Sequence, residues 1–261
     1  RDMLLQHTTW PEVGDYLESS KGIVVPIGST EQHGPTGLIG TDALAAEVIA
    51  KRVGEDAKAL VAPTISYGMA QHHMAFTGTV TLQPSTLILV VRDVVTSLVR
   101  HGFERFFFIN GHGGNIAPVN TAFSQIQVEL AAARSSDGPG DETGRNAPPA
   151  DVRCVMKNWW MGEKTTKLRE ELYGDKEGSH ATPSEVAVTW HAFPDQQRDL
   201  PLDPIEPVRR SFHGPEDYRK LFPDGRMGAD PSLATPEHGR RLVEVATAEL
   251  ASAYEEFLAD D

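Results

Sequence analysis

RFFFINGHGGN, residues 105–115, is the stretch on which the fold turns. Arg105 to Ile109 is an apolar, aromatic run too short for a helix, so it reads as a strand buried on both faces. It runs directly into Asn110-Gly111-His112-Gly113-Gly114-Asn115, and a helical pattern resumes near Ile116 and lasts to about Arg134. Strand, tight polar loop and helix in that order is the building unit of a parallel sheet. The same unit stands upstream. GIVVPI, Gly22 to Ile27, ends at Gly28, a polar loop covers Ser29 to Thr41, and Asp42 opens a helical pattern with Leu44, Ala45, Val48, Ile49 and Val53.

Further elements extend the alternation. Leu60 to Ile65 reads as extended, with Pro63 confining it to an edge or ending it early. Thr79 to Leu82 reads as another short strand, and Ser85 and Thr86 as caps of a helix carrying Leu87, Val91, Val95 and Val99, closed by Gly102. Arg153 to Asn158 supplies one more strand. Thr182-Pro183 and Thr235-Pro236 each place a threonine cap before a proline at the first helical position. Ser135 to Ala150 is polar and rich in Gly and Pro, the pattern of a surface excursion. No repeat, heptad or linker separates two cores. The expectation is an α/β protein: one three-layer α/β/α domain over residues 1–261 with a mainly parallel central sheet.

Composition narrows the class. In 261 residues, 24 Lys and Arg face 37 Asp and Glu, a net charge of −13 that argues against nucleic-acid binding. No apolar stretch approaches the ~20 residues of a membrane span. The single cysteine, Cys154, excludes an internal disulfide framework and sits in a strand pattern as a core thiol. The first residues carry no charged-then-apolar leader pattern, so the expected compartment is the cytoplasm.

In an open parallel sheet, ligands gather beyond the carboxyl ends of the strands. The loops expected there hold Glu31, His33 and Asp42 in one case and His112 in the other, and a later loop adds His180 and Glu185. Glu31 and His33 are two apart, so in extended backbone both face one side. Imidazoles with carboxylates form a usual first shell for Zn²⁺ or Mn²⁺. Five such ligands suit two ions sharing a carboxylate better than one catalytic ion with an open position. Each residue has a plainer use. Asp42 could cap its helix, and Glu185 follows Thr182 at capping-box spacing. Capping leaves Glu31, His33 and His112 unexplained. The glycine-rich turn lacks nucleotide-loop spacing, and Ser29, Ser179 and Ser184 lack a nucleophile elbow. At most one of the adjacent His72 and His73 can easily face a given site, and Trp159 and Trp160 read as core or interface.

The stretches Pro26-Ile27-Gly28-Ser29-Thr30-Glu31-Gln32-His33-Gly34-Pro35, Gly40-Thr41-Asp42, Phe76-Thr77-Gly78-Thr79, Asn110 to Asn115, His180-Ala181, Ser184-Glu185 and Thr235 to Gly239 together resemble the creatininase (creatinine amidohydrolase) family. The resemblance implies a three-layer α/β/α fold, two divalent metal ions per chain (Zn²⁺, Mn²⁺ or Fe²⁺) and a homohexamer. By position, Glu31 and His112 would hold one ion and His33 the other, with Asp42 between them. Glu185 would complete the coordination of the second ion or hydrogen-bond its water, and His180 would be the mobile acid/base. Creatinine-hydrolysing members carry Tyr-Glu after the metal-binding histidine, where this chain has Gly113-Gly114, so Glu185 is the replacement expected here. The implied reaction is hydrolysis of a non-peptide, cyclic amide C–N bond by a metal-bridging hydroxide, on a small-molecule substrate. Opening of a cyclic diketone or polyol ketone, peptide cleavage in cofactor maturation, and a non-enzymatic metal- or small-molecule-binding subunit are the alternatives.

Overall fold

A computed structural model of the chain describes residues 3–136, 149, 151–205 and 211–260. Its sheet has four parallel strands, β1 (Gly22–Ile27), β2 (Leu60–Val61), β3 (Arg105–Asn110) and β4 (Arg153–Asn158), in the order β2-β1-β3-β4. Val24 lies beside Phe107, and Phe107 beside Val155. The helices are α1 (Trp10–Ser19), α2 (Thr41–Ala57), α3 (Pro84–Val99) and α4 (Ile116–Ser136), then α5 (Glu163–Tyr173), α6 (Pro183–Ala192), α7 (Pro215–Leu221) and α8 (Pro236–Ala259).

Side chains alternate across a strand, so each strand feeds two cores. Val24, Phe107 and Ile109 pack with Ile49 and Val53 of α2, Val186 of α6 and Leu242, Ala246 and Tyr254 of α8. Ile23, Val25, Ile27, Phe106 and Phe108 pack with Leu87, Val91 and Val95 of α3 and Val119 and Ile126 of α4. This is the three-layer α/β/α arrangement expected, with β1 and β3 buried on both faces. The strand order also creates a switch point. From β1 the chain moves outward to β2, then crosses back to β3 on the other side. The loops leaving the carboxyl ends of β1 and β3 therefore part, and a crevice opens between them.

Several expectations need correction. The segment from Leu60 is a strand only to Val61, as Pro63 foreshadows, although Ile65 still makes a single bridge to Ile27. Thr79 to Leu82 is no strand: Val80 makes one antiparallel bridge to Thr30. The helix expected from Ser85 and Thr86 starts at Pro84 after Gln83, so neither hydroxyl caps it. Helices α1, α5 and α7 lie where no helix is expected from the sequence. Most of the Ser135 to Ala150 excursion lies outside the described residues. Cys154 is free and half-buried in β4, and burial pushes its thiol up to about 12. Among the described residues, no helix is long and apolar enough to cross a membrane.

Candidate metal centre

Four segments bring the centre together at the mouth of the crevice: the loop after β1, the turn after β3 and the amino ends of α2 and α6. The loop after β1 carries Glu31 and His33, both buried, and the turn after β3 carries His112. Asn110 builds that turn, because its amide donates to the His112 carbonyl (2.7 Å) and its Oδ1 accepts from the His112 N–H (3.1 Å). Asn115 ties the turn to the neighbouring loops by donating to Gly28 O (2.9 Å) and accepting from Met69 N (3.1 Å). The amino end of α2 then presses onto this turn. A Cβ at position 111 would stand 2.0 Å from the Asp42 carbonyl oxygen, so only glycine lets the helix come close enough to present Asp42.

Asp42 does not cap its helix. Gly40 is the N-cap, and the Asp42 carboxylate turns inward instead. Its Oδ1 lies 2.9 Å from His33 Nε2 and its Oδ2 lies 3.0 Å from His112 Nδ1. Glu31 Oε2 accepts from Ser29 Oγ (2.7 Å) and stands 3.3 Å from His112 Nδ1. Glu185 forms the capping box its sequence position suggests and also faces His33. Its Oε1 accepts from Thr182 N (2.6 Å) in a formed capping box and is 3.8 Å from His33 Nε2. Glu31, His33, Asp42, His112 and Glu185 thus converge, with Asp42 in the middle. His180 joins them, its Nδ1 3.7 Å from Glu31 Oε1 and its ring 4.6 Å from that of His33.

The histidines share one arrangement. His33 Nδ1 donates to the Glu31 carbonyl (3.0 Å), His112 Nε2 to Met69 O (2.9 Å) and His180 Nε2 to Gln32 O (2.7 Å). Each therefore keeps its second ring nitrogen, without a proton in the neutral ring, aimed at the carboxylates. Fixing the outer nitrogen in this way orients a histidine for a metal. Glu31 Oε1 and Asp42 Oδ2 are buried and lack a hydrogen-bond partner of good geometry, a costly state for a carboxylate. Donor set and orphaned oxygens both fit divalent cations: Glu31, Asp42 and His112 bring ligand atoms within 4.8 Å of one another, and so do His33, His180 and Glu185, with Asp42 Oδ1 2.9 Å from His33 Nε2.

The electrostatics agree. Burial opposes charge on His33, but the Asp42 carboxylate beside it wins and raises the imidazole to about 10. Burial opposes charge on His112 too, and Glu31 and Asp42 hold it well above the usual value. Burial favours a neutral Glu31, yet neighbouring His112 holds the carboxyl well below the ordinary range. Burial pushes Glu185 up to about 7. Burial, then His73 and His33, lower His180 well below its ordinary value. The field at Asp42 and Glu31 favours positive charge on His33 and His112.

A cavity of about 480 Å³ opens onto Asp42, His112, His180 and Glu185, walled by Gly113, Trp159, Trp160, Thr166 and Arg169. Trp159 is a core residue as expected, but Trp160 also faces this space. Gly113 has open space where a side chain would stand, whereas a Cβ at Gly114 would meet Met69 O at 2.3 Å and His112 Nε2 at 2.4 Å. On this backbone a side chain at 114 would collide with the His112 ring, and the carboxylate near His33 is that of Glu185 from α6. The serine hydroxyls are spent on carboxylates, Ser29 on Glu31 and Ser184 on Glu177.

The sequence left the role of His73 open. Its Nε2 lies 3.2 Å from Glu31 Oε1 and its ring stacks on His180 at 4.2 Å, while His72 turns away toward Phe212 and Tyr218. His73 sits in a short 3-10 turn without periodicity. The available signal was its place in the loop leaving β2, on the same side of the sheet as the loops of β1 and β3.

Comparison with known proteins shows the fold and the family. The chain is 26% identical to a creatinine amidohydrolase of Pseudomonas putida over 271 aligned residues, covering 98% of this chain and 97% of the relative. It is 34% identical over 235 residues to a mycofactocin precursor peptide peptidase of Mycobacterium tuberculosis, covering 86% and 80%. A mutant creatininase described as Zn-Zn type superposes with a TM-score of 0.86 at 23% identity over 100% of both chains. The family model for creatininase (creatinine amidohydrolase) matches residues 6–254, and the chain belongs to that family of hydrolases.

Proposed function

We propose that this chain, as one domain over residues 1–261, is a metal-dependent amidohydrolase that cleaves a non-peptide, cyclic amide C–N bond in a small molecule. The observation that carries the reading is Asp42, whose two oxygens face two different histidines, His33 and His112, at 2.9 and 3.0 Å. Two divalent cations, Zn²⁺ or Mn²⁺, would be held by Glu31, Asp42 and His112 on one side and by His33, Asp42 and Glu185 on the other. When bound, they supply an acidified water and polarise the substrate carbonyl.

The chain's own residues do the rest. His180 keeps its Nε2 proton on Gln32 O, which leaves Nδ1 facing the centre. Nδ1 takes the proton of the attacking water and passes it to the departing nitrogen. The lowered basicity of the buried ring favours its release. Trp160 and Thr166 wall the substrate space, and the bare position at Gly113 leaves it wider than a bulky residue would. A homohexamer is the assembly that family membership suggests, and the cytoplasm is the compartment expected from the sequence.

A second reading, cleavage of a peptide amide, is favoured by the 34% identical peptidase and by the roomy cavity. One experiment separates them. Zn²⁺- or Mn²⁺-loaded protein is assayed on panels of cyclic amides, cyclic diketones and short peptides, before and after chelation. Turnover confined to the cyclic amides, lost on chelation and restored by metal, is the expected result. Turnover confined to peptides or diketones moves the substrate class, and turnover that survives complete chelation overturns the metal-dependent scheme.

A further inference from the structure

His73 breaks the pattern of the other histidines at the centre. His33, His112 and His180 each bond a backbone carbonyl with the outer ring nitrogen, so the inner nitrogen of the neutral ring is free of its proton. The outer nitrogen of His73, Nδ1, instead meets Gln32 Nε2 at 2.9 Å. The orientation of the Gln32 amide is fixed by two backbone groups. Its Oε1 accepts from Gly34 N at 2.9 Å, and its Nε2 donates to Gly225 O at 3.0 Å. An amide turned the other way would set NH₂ against an N–H and oxygen against a carbonyl. The amide nitrogen therefore donates to His73 Nδ1, and the ring proton sits on Nε2, which lies 3.2 Å from Glu31 Oε1.

We infer that His73 is a positioning residue rather than a metal ligand: held by Gln32 in the Nε2–H form, it sets the positive edge of its ring 3.2 Å from Glu31 Oε1, close enough to attract that oxygen without a well-aligned hydrogen bond, and so leaves Glu31 Oε2 toward His112. Glu31, His73 and His180 are close enough to pass for a third cation site. Hydrogen-bond polarity decides against that, since a nitrogen carrying a proton has no lone pair for a cation. The surroundings hold the ring in place. His180 stacks on one side and Tyr218 meets it edge-on at 4.8 Å, with the Tyr218 hydroxyl on the same Gly225 carbonyl (2.9 Å) that receives Gln32. Gln32 thus reaches the centre through two steps, amide to imidazole and imidazole to carboxylate.

The inference rests on Glu31 belonging to the metal centre, and its test separates the two claims. Ring ¹⁵N NMR of the metal-free protein, assigned with His73→Gln, reads the proton position directly. The expected result is a protonated Nε2 and a bare Nδ1. An Nδ1–H ring overturns the assignment whatever the protein binds. Zn²⁺ titration supplies the second readout. Outer-sphere partners of this kind change metal affinity by about 10–100-fold, so His73→Ala should weaken Zn²⁺ binding by that factor while saturation still reaches the wild-type number of ions. His73→Gln, whose amide can donate from the place of Nε2, should recover most of the loss. Loss of one ion per chain in His73→Gln would make His73 a ligand and overturn the inference. Wild-type protein that takes up no Zn²⁺ would instead sink the proposed function, and the ring signals would then decide the role of His73 alone.

Discussion

Replacing Asp42 by alanine is expected to abolish hydrolysis and empty the metal centre while leaving the sheet folded. The side chain stands between His33 and His112 and offers one oxygen to each. Its loss takes a ligand from both positions at once, so activity should drop to that of chelated wild-type protein. The helix does not depend on it, since α2 starts from Gly40 without a side-chain cap. What the fold loses is a partner for two buried imidazoles, about 1–3 kcal/mol per unsatisfied group. In a chain of this size each kcal/mol lowers Tm by roughly 2–4 °C. Circular dichroism should therefore keep its native shape with Tm lowered by roughly 4–24 °C, and elemental analysis should find the metal gone. Asp42→Ala retaining wild-type activity or wild-type metal content would contradict the scheme.

His180→Ala tests a different part of the chemistry. The ring lies beside His33 and His73 but is assigned to proton transfer at Nδ1, with Nε2 anchored on Gln32 O. Removing a positioned acid/base costs about 10²–10⁴ in turnover, and the metal content should stay at the wild-type level. If the ions leave with the side chain, His180 is a ligand and the proton carrier must be sought elsewhere. The proximity of His33, His180 and Glu185 makes that outcome a real alternative to measure against.

How much of this was legible in the sequence differs between elements for physical reasons. β1 and β3 stand out because a strand buried on both faces must be apolar at every position, as GIVVPI and RFFFI are. Thr182 and Thr235 mark α6 and α8 because a cap followed by proline fits few other conformations. Helix α1 is hard to read from the sequence although Thr9 and Glu12 form a capping box there, because it is short and none of its residues is fully buried. Helix α5, EKTTKLREELY, is held mainly through Thr165, Leu168 and Tyr173, too few to impose a period.

The centre shows the same split. Glu31, His33 and His112 were visible because a loop between buried strands has little other reason to carry them. Asp42 and Glu185 were ambiguous, since a carboxylate in a first helical turn serves the helix as readily as a metal. The structure gives opposite answers: Asp42 leaves its helix uncapped, whereas one oxygen of Glu185 serves both the capping box and the site. His73 stayed hidden because its partner, Glu31, lies far away in sequence, and only the sheet order brings their loops together.

The most direct test of the account is a count of ions per chain. Purified protein saturated with Zn²⁺ or Mn²⁺, freed of excess metal and subjected to elemental analysis should hold two ions per chain, both removable by a chelator and both missing from Asp42→Ala. A wild-type protein that retains no ions, or an Asp42→Ala protein that retains two, would contradict it.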